Sequence, residues 1–138
     1  MEITDCDMAA KMEEELFSDP WSKKALEDAI LRCDSCYRAA REDGKLIGYC
    51  GLYLVGDEGY INQVAVTEER QGRGIGKELL SSLLSAAAEK GMKACSLEVR
   101  TSNQRAVRLY ESLGFEKDGV RPGFYDHPKE DAYIMWKR

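Results

Sequence analysis

The segment Gln71-Gly72-Arg73-Gly74-Ile75-Gly76-Lys77 lies between a stretch patterned as a β-strand and the clearest amphipathic helix of the chain. Glycines allow positive φ angles and let a ligand approach the backbone closely. The unpaired N–H groups and the dipole at a helix N-terminus favour an anion at this point. Arg73 and Lys77 add positive charge. The segment therefore predicts a phosphate-binding turn, with glycines that only turn the chain as the simpler alternative.

Two common nucleotide-binding patterns do not fit this segment. A Walker A loop needs a glycine five residues before the Gly-Lys pair and Ser or Thr after it, and these positions hold Gln71 and Glu78. A dinucleotide fingerprint needs Gly-x-Gly-x-x-Gly, but the third position holds Lys77. The phosphate must belong to another class of ligand.

Outward from this turn, hydrophobic periodicity and capping residues predict alternating helices and strands. Thr4 or Asp5 is expected to cap the first helix, and Ser22 the second. A strand, a turn, a helix and a further strand in succession imply a parallel strand pair with a right-handed crossover. We therefore expect one α/β domain over residues 1–138, with helices on both faces of a sheet. The predicted helices are 5–17, 22–31, 74–90 and 103–113, and the predicted strands are 37–41, 46–55, 60–66, 94–99, 115–120 and 132–136.

The bulk composition restricts the classes of function. The 138 residues include 43% hydrophobic and 33% charged residues and carry a net charge of −5, which argues against nonspecific nucleic-acid binding. No apolar run is long enough for a membrane helix, and the first residues lack the features of a signal peptide, so we expect a cytoplasmic protein. The five cysteines form an odd set that suits reduced thiols. Cys33 and Cys36 have redox or zinc-ligand spacing, but with His127 as the only histidine we predict no metal site.

Three motifs in order along the chain resemble one family. Residues 64–66, Val-Ala-Val, followed by the glycine turn, resemble the acetyl-CoA motif of the GNAT superfamily of N-acetyltransferases. Residues 97–103, Leu-Glu-Val-Arg-Thr-Ser-Asn, and 109–115, Leu-Tyr-Glu-Ser-Leu-Gly-Phe, resemble its ribosomal-protein-alanine acetyltransferase branch, the RimI type. Residues 19–22 and 130–132 are similar to that branch as well, so the resemblance covers nearly the whole chain.

The resemblance implies a GNAT fold and an acetyl-CoA site. The expected sheet is mixed and mostly antiparallel, with six to seven strands and a central parallel pair that splays apart. Backbone groups of Val64 and Val66 would bond the pantetheine arm, the N–H groups of the turn would hold the pyrophosphate, and Asn103 would contact the arm or the adjacent backbone. The full donor-binding set implied by the resemblance is Val64, Ala65, Val66, Gln71, Gly72, Arg73, Gly74, Ile75, Gly76, Lys77 and Asn103.

Acetyl transfer to an amine needs a base and an acid, for which Glu98 and Tyr110 are the candidates. An amine attacks a thioester only when unprotonated, and the departing thiolate is better stabilised when it receives a proton. Glu98 lies in an otherwise apolar strand, and by resemblance it is the general base; a strand glutamate that faces solvent or pairs with Arg100 or Lys93 is the alternative. Tyr110 lies on the apolar face of its helix, and by resemblance it donates to the thiolate. Cys95 as an acyl-carrying nucleophile is a weaker alternative, because a strand position suggests a buried thiol.

The acceptor is predicted by resemblance alone. The family's acceptor groove lies between the connection of the first two helices and the loop joining the last two strands, here 17–22 and 121–130. Trp21 and Tyr125 are the candidate aromatic walls. Phe124-Tyr125 resembles a paired-tyrosine site with phenylalanine in the first position. We expect a protein N-terminal α-amine as acceptor, foremost alanine of a small-subunit ribosomal protein. A lysine or small-amine acceptor, and a non-catalytic CoA-binding or partner-binding module, remain the alternatives.

Overall fold

A computed structural model describes residues 1–138 and contains four α-helices and six strands. A short 3-10 turn, Ile3–Asp5, precedes the first helix, and a second one, Glu68–Arg70, precedes the glycine turn. The helices are α1 (Cys6–Leu16), α2 (Lys23–Leu31), α3 (Ile75–Glu89) and α4 (Gln104–Ser112). The strands are β1 (Ser35–Glu42), β2 (Lys45–Val55), β3 (Glu58–Val66), β4 (Ala94–Arg100), β5 (Glu116–Asp126) and β6 (Lys129–Lys137).

The strands form one six-stranded sheet in the order β1-β2-β3-β4-β6-β5. Every neighbouring pair is antiparallel except β3 and β4, which are parallel. The parallel pairing covers only residues 58–60 against 94–96, and both strands then continue without pairing to each other. The predicted mixed sheet with a splayed central parallel pair is confirmed.

The separation of β3 from β4 leaves main-chain groups of β3 without a strand partner. The Thr67 N–H donates to the Ile47 carbonyl at 2.9 Å, so Thr67 faces β2. The main-chain N–H and C=O groups of successive residues point to alternate sides of a strand. Those of Ala65 therefore also point to β2, whereas those of Val64 and Val66 point into the gap.

Helices cover both faces of the sheet, and each face carries its own hydrophobic cluster. On one face, α3 and α4 pack on the central strands, with Leu80, Leu83 and Phe115 fully buried. On the other face, α1 and α2 bury Leu26 and Tyr49 against β2 and β3. Odd-numbered residues of β4 point to the α3/α4 face and even-numbered ones to the α1/α2 face, since the burial of this strand alternates.

Two details differ from the sequence-based expectation. The predicted loop 121–130 is largely a β-hairpin, because β5 extends to Asp126 and β6 begins at Lys129. The residues of β5 are mostly exposed and polar, so the sequence lacks the hydrophobic alternation that would have predicted this strand at the sheet edge. Asp5 precedes α1 but makes no side-chain cap, because its carboxylate accepts the Glu2 N–H at 2.8 Å. The Ser22 cap is confirmed, as its hydroxyl accepts the Ala25 N–H at 3.1 Å.

Two further features bear on function classes. All five cysteines are unpaired, with Cys33 exposed and Cys36 buried in the core. None of the helices combines the length and the apolarity needed to cross a bilayer.

Candidate active site

A cleft of about 1050 Å³ opens where β3 and β4 separate. The diverging strands form its floor, and the glycine turn, the start of α3 and the inner side of α4 form one end. The α1–α2 connection and the tip of the β5–β6 hairpin form the other end. The predicted donor and acceptor sides therefore meet in a single cavity.

The glycine turn adopts a backbone that other residues would strain. Gly72 and Gly74 have φ angles of +80° and +81°, and Gly74 is the N-cap of α3. The Gln71 side chain donates from Nε2 to the Val66 carbonyl at 3.0 Å, tying the turn back to β3. This bond occupies the Val66 carbonyl, whereas the Val66 N–H remains directed into the gap. The turn and the gap together offer N–H donors for phosphate groups and a strand edge for an extended chain, as the acetyl-CoA prediction requires.

Most of the predicted residues line the cleft. Those that do are Trp21, Val64, Val66, Gln71, Gly72, Gly74, Ile75, Gly76, Lys77, Glu98, Asn103, Tyr110 and Tyr125. Ala65 does not line it, because its side chain is buried against α1 and α2. Arg73 does not line it either; its exposed side chain lies close enough to Glu42 to lower the pKa of that carboxyl, together with Arg70. The Asn103 amide oxygen accepts the Ala106 N–H at 3.2 Å and caps α4.

Glu98 points to the α1/α2 face at the point where the strands diverge. Its side chain is 8% exposed, and Oε1 accepts the Tyr60 hydroxyl at 3.0 Å. The Arg121 Nε lies 3.7 Å from the same oxygen. The alternative of pairing with Arg100 is wrong, because Arg100 bonds to Glu130 at 3.3 Å. Burial and the neighbouring Glu98 carboxylate raise the pKa of Tyr60, so its hydroxyl stays a donor.

Tyr110 reaches the cleft from the opposite face. Its ring is buried and packs edge-on against Phe115, with centroids 6.0 Å apart. Its hydroxyl makes no hydrogen bond within the chain although the residue lines the cleft. Burial raises the pKa of Tyr110, which keeps the hydroxyl protonated. A carboxylate and a neutral phenol on opposite sides of one gap could serve a reaction that loses a proton at one atom and gains one at another.

The end of the cleft that is predicted to hold the acceptor carries aromatic side chains, and charged side chains contact them. The Arg100 guanidinium lies 4.2 Å from the centre of the Tyr125 ring, and Phe124 packs edge-on against the same ring at 5.0 Å. The backbone N–H of Trp21 donates to Glu13 Oε1 at 2.9 Å. Trp21 and Tyr125 line this end of the cleft from separate elements, and these contacts hold the backbone of Trp21 and the ring of Tyr125.

Several cleft residues escaped the sequence reasoning. The Arg105 guanidinium lies so close to the turn that a Cβ on Gly72 would come within 2.8 Å of it. Tyr60 and Gln63 line the acceptor side, and Arg121 approaches Glu98 from β5. Of these residues only Arg105 could have been found from the sequence, because it lies in the first turn of α4 after the Asn103 cap. The places of Tyr60, Gln63 and Arg121 at the cleft depend on how the strands pair.

Cys95 is unsuited to carry an acyl group. Its thiol is buried on the α3/α4 face, and burial raises its pKa to about 12. A thiol in that state supplies almost no thiolate at neutral pH. Direct attack by the acceptor on the donor is the simpler route.

Comparison with known proteins extends these observations. The family model described as Acetyltransferase (GNAT) family matches residues 5–115. A Bacillus subtilis protein named provisionally as a ribosomal protein bS18-alanine N-acetyltransferase is 35% identical, over 99% of this chain and 91% of its own. The Mycobacterium tuberculosis N-alpha-acetyltransferase RimI is 36% identical, over 95% of this chain and 85% of its own. The crystal structure of the Escherichia coli ribosomal-protein-S18-alanine N-acetyltransferase superimposes with a TM-score of 0.90 at 32% identity, covering 99% of this chain and 89% of that one.

The agreement spans the fold and the sequence motifs at once. The six-stranded mixed sheet with its splayed parallel pair carries the acetyl-CoA motif at the expected place. The family match extends over most of the chain and includes Glu98 and Tyr110. The chain is an acetyl-CoA-dependent N-acetyltransferase and belongs to the GNAT family, among relatives of the RimI type.

Proposed function

We propose that the protein transfers acetyl from acetyl-CoA to the N-terminal α-amine of a protein, foremost an N-terminal alanine of a small-subunit ribosomal protein. The relatives from Bacillus subtilis and Escherichia coli, whose names give an alanine of ribosomal protein S18 as acceptor, support this acceptor. The same acceptor implies a cytoplasmic site of action. The single observation that carries the proposal is the cleft, with a buried carboxylate on one face of the split sheet and a phenol hydroxyl on the other.

The donor occupies the gap between β3 and β4. The pantetheine arm bonds to main-chain groups of β3 as an added strand would, through the Val64 groups and the Val66 N–H. The pyrophosphate lies on the N–H groups of the turn from Gln71 to Lys77, at the N-terminus of α3. Arg105, whose guanidinium lies against Gly72, contributes further positive charge on this side.

Two proton transfers accompany the reaction. The neutral amine nitrogen attacks the thioester carbonyl carbon, a C–N bond forms and the C–S bond breaks. The proton lost by the nitrogen goes to Glu98, directly or through water, and the departing thiolate receives the proton of the Tyr110 hydroxyl. Tyr60 donates to Glu98 at 3.0 Å and fixes the orientation of the carboxylate.

An acetylation screen of peptides tests the proposal. The peptides share one sequence, differ in the N-terminal residue and carry one internal lysine, and each is prepared with a free and with a blocked α-amine. Mass spectrometry with fragment assignment locates the added acetyl group. We expect modification of the free α-amine, strongest for alanine, and none of the blocked peptides. Acetylation of the internal lysine in blocked peptides would instead support a lysine acetyltransferase.

A second arm separates an enzyme from a CoA-binding module. Binding of acetyl-CoA is measured by calorimetry, and acetyl transfer is followed with the best peptide. Binding without transfer to any peptide or small amine would refute the enzymatic proposal.

A further inference from the structure

The buried carboxylate of Glu13 lies on α1 outside the proposed chemistry. Its side chain is fully buried and accepts four hydrogen bonds, all from neutral donors. Gln63 Nε2 donates to both oxygens, at 2.9 and 2.8 Å. The backbone N–H of Trp21 donates to Oε1 at 2.9 Å, and the Tyr49 hydroxyl donates to Oε2. A single carboxylate thereby joins α1, β2, β3 and the α1–α2 connection.

Core stability does not explain a glutamate at this position. A buried charge loses its hydration, and this loss raises the pKa of Glu13. Apolar residues of similar volume in such positions are often equally stabilising or better. A buried polar group whose hydrogen bonds are all satisfied specifies one arrangement of the surrounding elements, because any other arrangement leaves a donor without its acceptor.

Two of the three donors belong to the acceptor end of the cleft. Trp21 and Gln63 both line the cleft but come from different parts of the chain. The Phe17 N–H donates to the Glu13 carbonyl at 3.0 Å as the last main-chain hydrogen bond of α1, so the connection begins one helical turn after Glu13. The Glu13 carboxylate holds the far end of this connection, at the backbone of Trp21.

We propose that Glu13 is a positioning residue for the acceptor, holding Trp21 and Gln63 at a fixed separation and so setting affinity and selectivity for its first residues. This inference rests on the proposed function, because it assigns that end of the cleft to the acceptor. The predicted signature is a change in acceptor KM and in preference among N-terminal residues, with the acetyl-CoA KM unchanged.

Shortening the side chain without removing its charge gives the main test. Glu13→Asp withdraws the carboxylate by about 1.5 Å, so it can no longer reach both Trp21 and Gln63. We expect the acceptor KM to rise about tenfold, which corresponds to the loss of one ordinary hydrogen bond, and the alanine preference to weaken. The acetyl-CoA KM should stay within about twofold. Glu14→Asp makes the same change at an exposed neighbouring position and is the matched control.

Removing the charge without shortening the side chain separates position from electrostatics. The amide of Glu13→Gln can still accept from the Trp21 N–H, since Tyr49 and Gln63 can reorient as acceptors. Positioning predicts a smaller rise in acceptor KM for Glu13→Gln than for Glu13→Asp. The reverse order, equal changes in both substrate KM values, or a lowered melting temperature with unchanged acceptor KM and selectivity would each overturn the inference.

Two further controls keep the test decisive. If Glu13→Asp does not fold, Tyr49→Phe removes one donor from the fully buried side and should raise only the acceptor KM; an unchanged acceptor KM overturns the inference. The wild type is assayed first with the N-terminal peptides. Absence of transfer by the wild type refutes the proposed function, whereas transfer with wild-type kinetics in the Glu13 variants refutes only the positioning role.

Discussion

Tyr110→Phe removes the proposed proton donor while leaving almost everything else in place. The ring keeps its edge-on packing against Phe115, and the lost hydroxyl makes no hydrogen bond within the chain. The free energy of unfolding should therefore change by less than about 1 kcal/mol, the value of one ordinary hydrogen bond. The turnover number should fall about 100-fold, the lower end of the range for loss of a general acid.

The pH dependence follows from the environment of Tyr110. Burial raises the pKa of the phenol, and a raised pKa means that the proton is retained to higher pH. Tyr110 should therefore cause no loss of wild-type activity as pH rises toward about 10, the usual tyrosine value. Alkaline loss of activity below that pH that disappears in Tyr110→Phe would contradict this assignment of the protonation state.

The assay measures CoA chromatographically under single-turnover and steady-state conditions, because exposed Cys33 would react with thiol reagents. Tyr133→Phe is the matched control, since it deletes the same hydroxyl on β6 outside the cleft. Acetyl-CoA affinity should be unchanged in both variants. A turnover number of Tyr110→Phe within about threefold of wild type would refute the donor role, because it leaves no room for a general acid.

Three further predictions test the remaining parts. Glu98→Gln should lower the turnover number by about 100-fold or more, and exposed Glu116→Gln should not; equal rates in steady-state assays would exclude Glu98 as the base. Gly74→Ala should raise the acetyl-CoA dissociation constant, because it forces a side chain to φ +81° at the turn at a cost of about 1–2 kcal/mol. Gly44→Ala has the same backbone strain at φ +77° at a position that does not line the cleft, so calorimetry should show donor binding weakened by Gly74→Ala alone. The raised pKa of Glu13 means that the folded state holds its proton more tightly, so its contribution to stability should decline as pH rises above 4.5. Urea unfolding between pH 4.5 and 7 should show this decline in the wild type relative to Glu13→Gln, and parallel curves would contradict it.

The glycine-turn end of the cleft could be predicted from local sequence because the residues that determine its conformation are contiguous. The turn from Gln71 to Lys77 combines positive-φ glycines with a helix start, and both properties belong to neighbouring residues. The parallel pair followed from the order strand, helix, strand. The catalytic assignments of Glu98 and Tyr110 remain predictions, although the fold brings both to one cleft.

The acceptor side could not be predicted as well because its determinants are far apart in sequence. The bonds of Glu13 to Tyr49 and Gln63 span 36 and 50 residues, and no local pattern indicates them. The hairpin from Glu116 to Lys137 was predicted too short, because its outer strand is exposed and mostly polar. An edge strand with water on one side shows little of the hydrophobic alternation on which such predictions rest.

The parallel pairing of β3 and β4, in the middle of the sheet, is the shortest of its strand pairings. Only three residue pairs, ending at Tyr60 and Ser96, join the half built from the first three strands to the half built from the last three. In the proposed binding mode the donor pairs with β3 beyond that point, so the substrate would take the place that a neighbouring strand has in an ordinary sheet. Donor binding should then raise the free energy of unfolding of the whole protein, because a ligand that binds only the folded state stabilises that state by mass action.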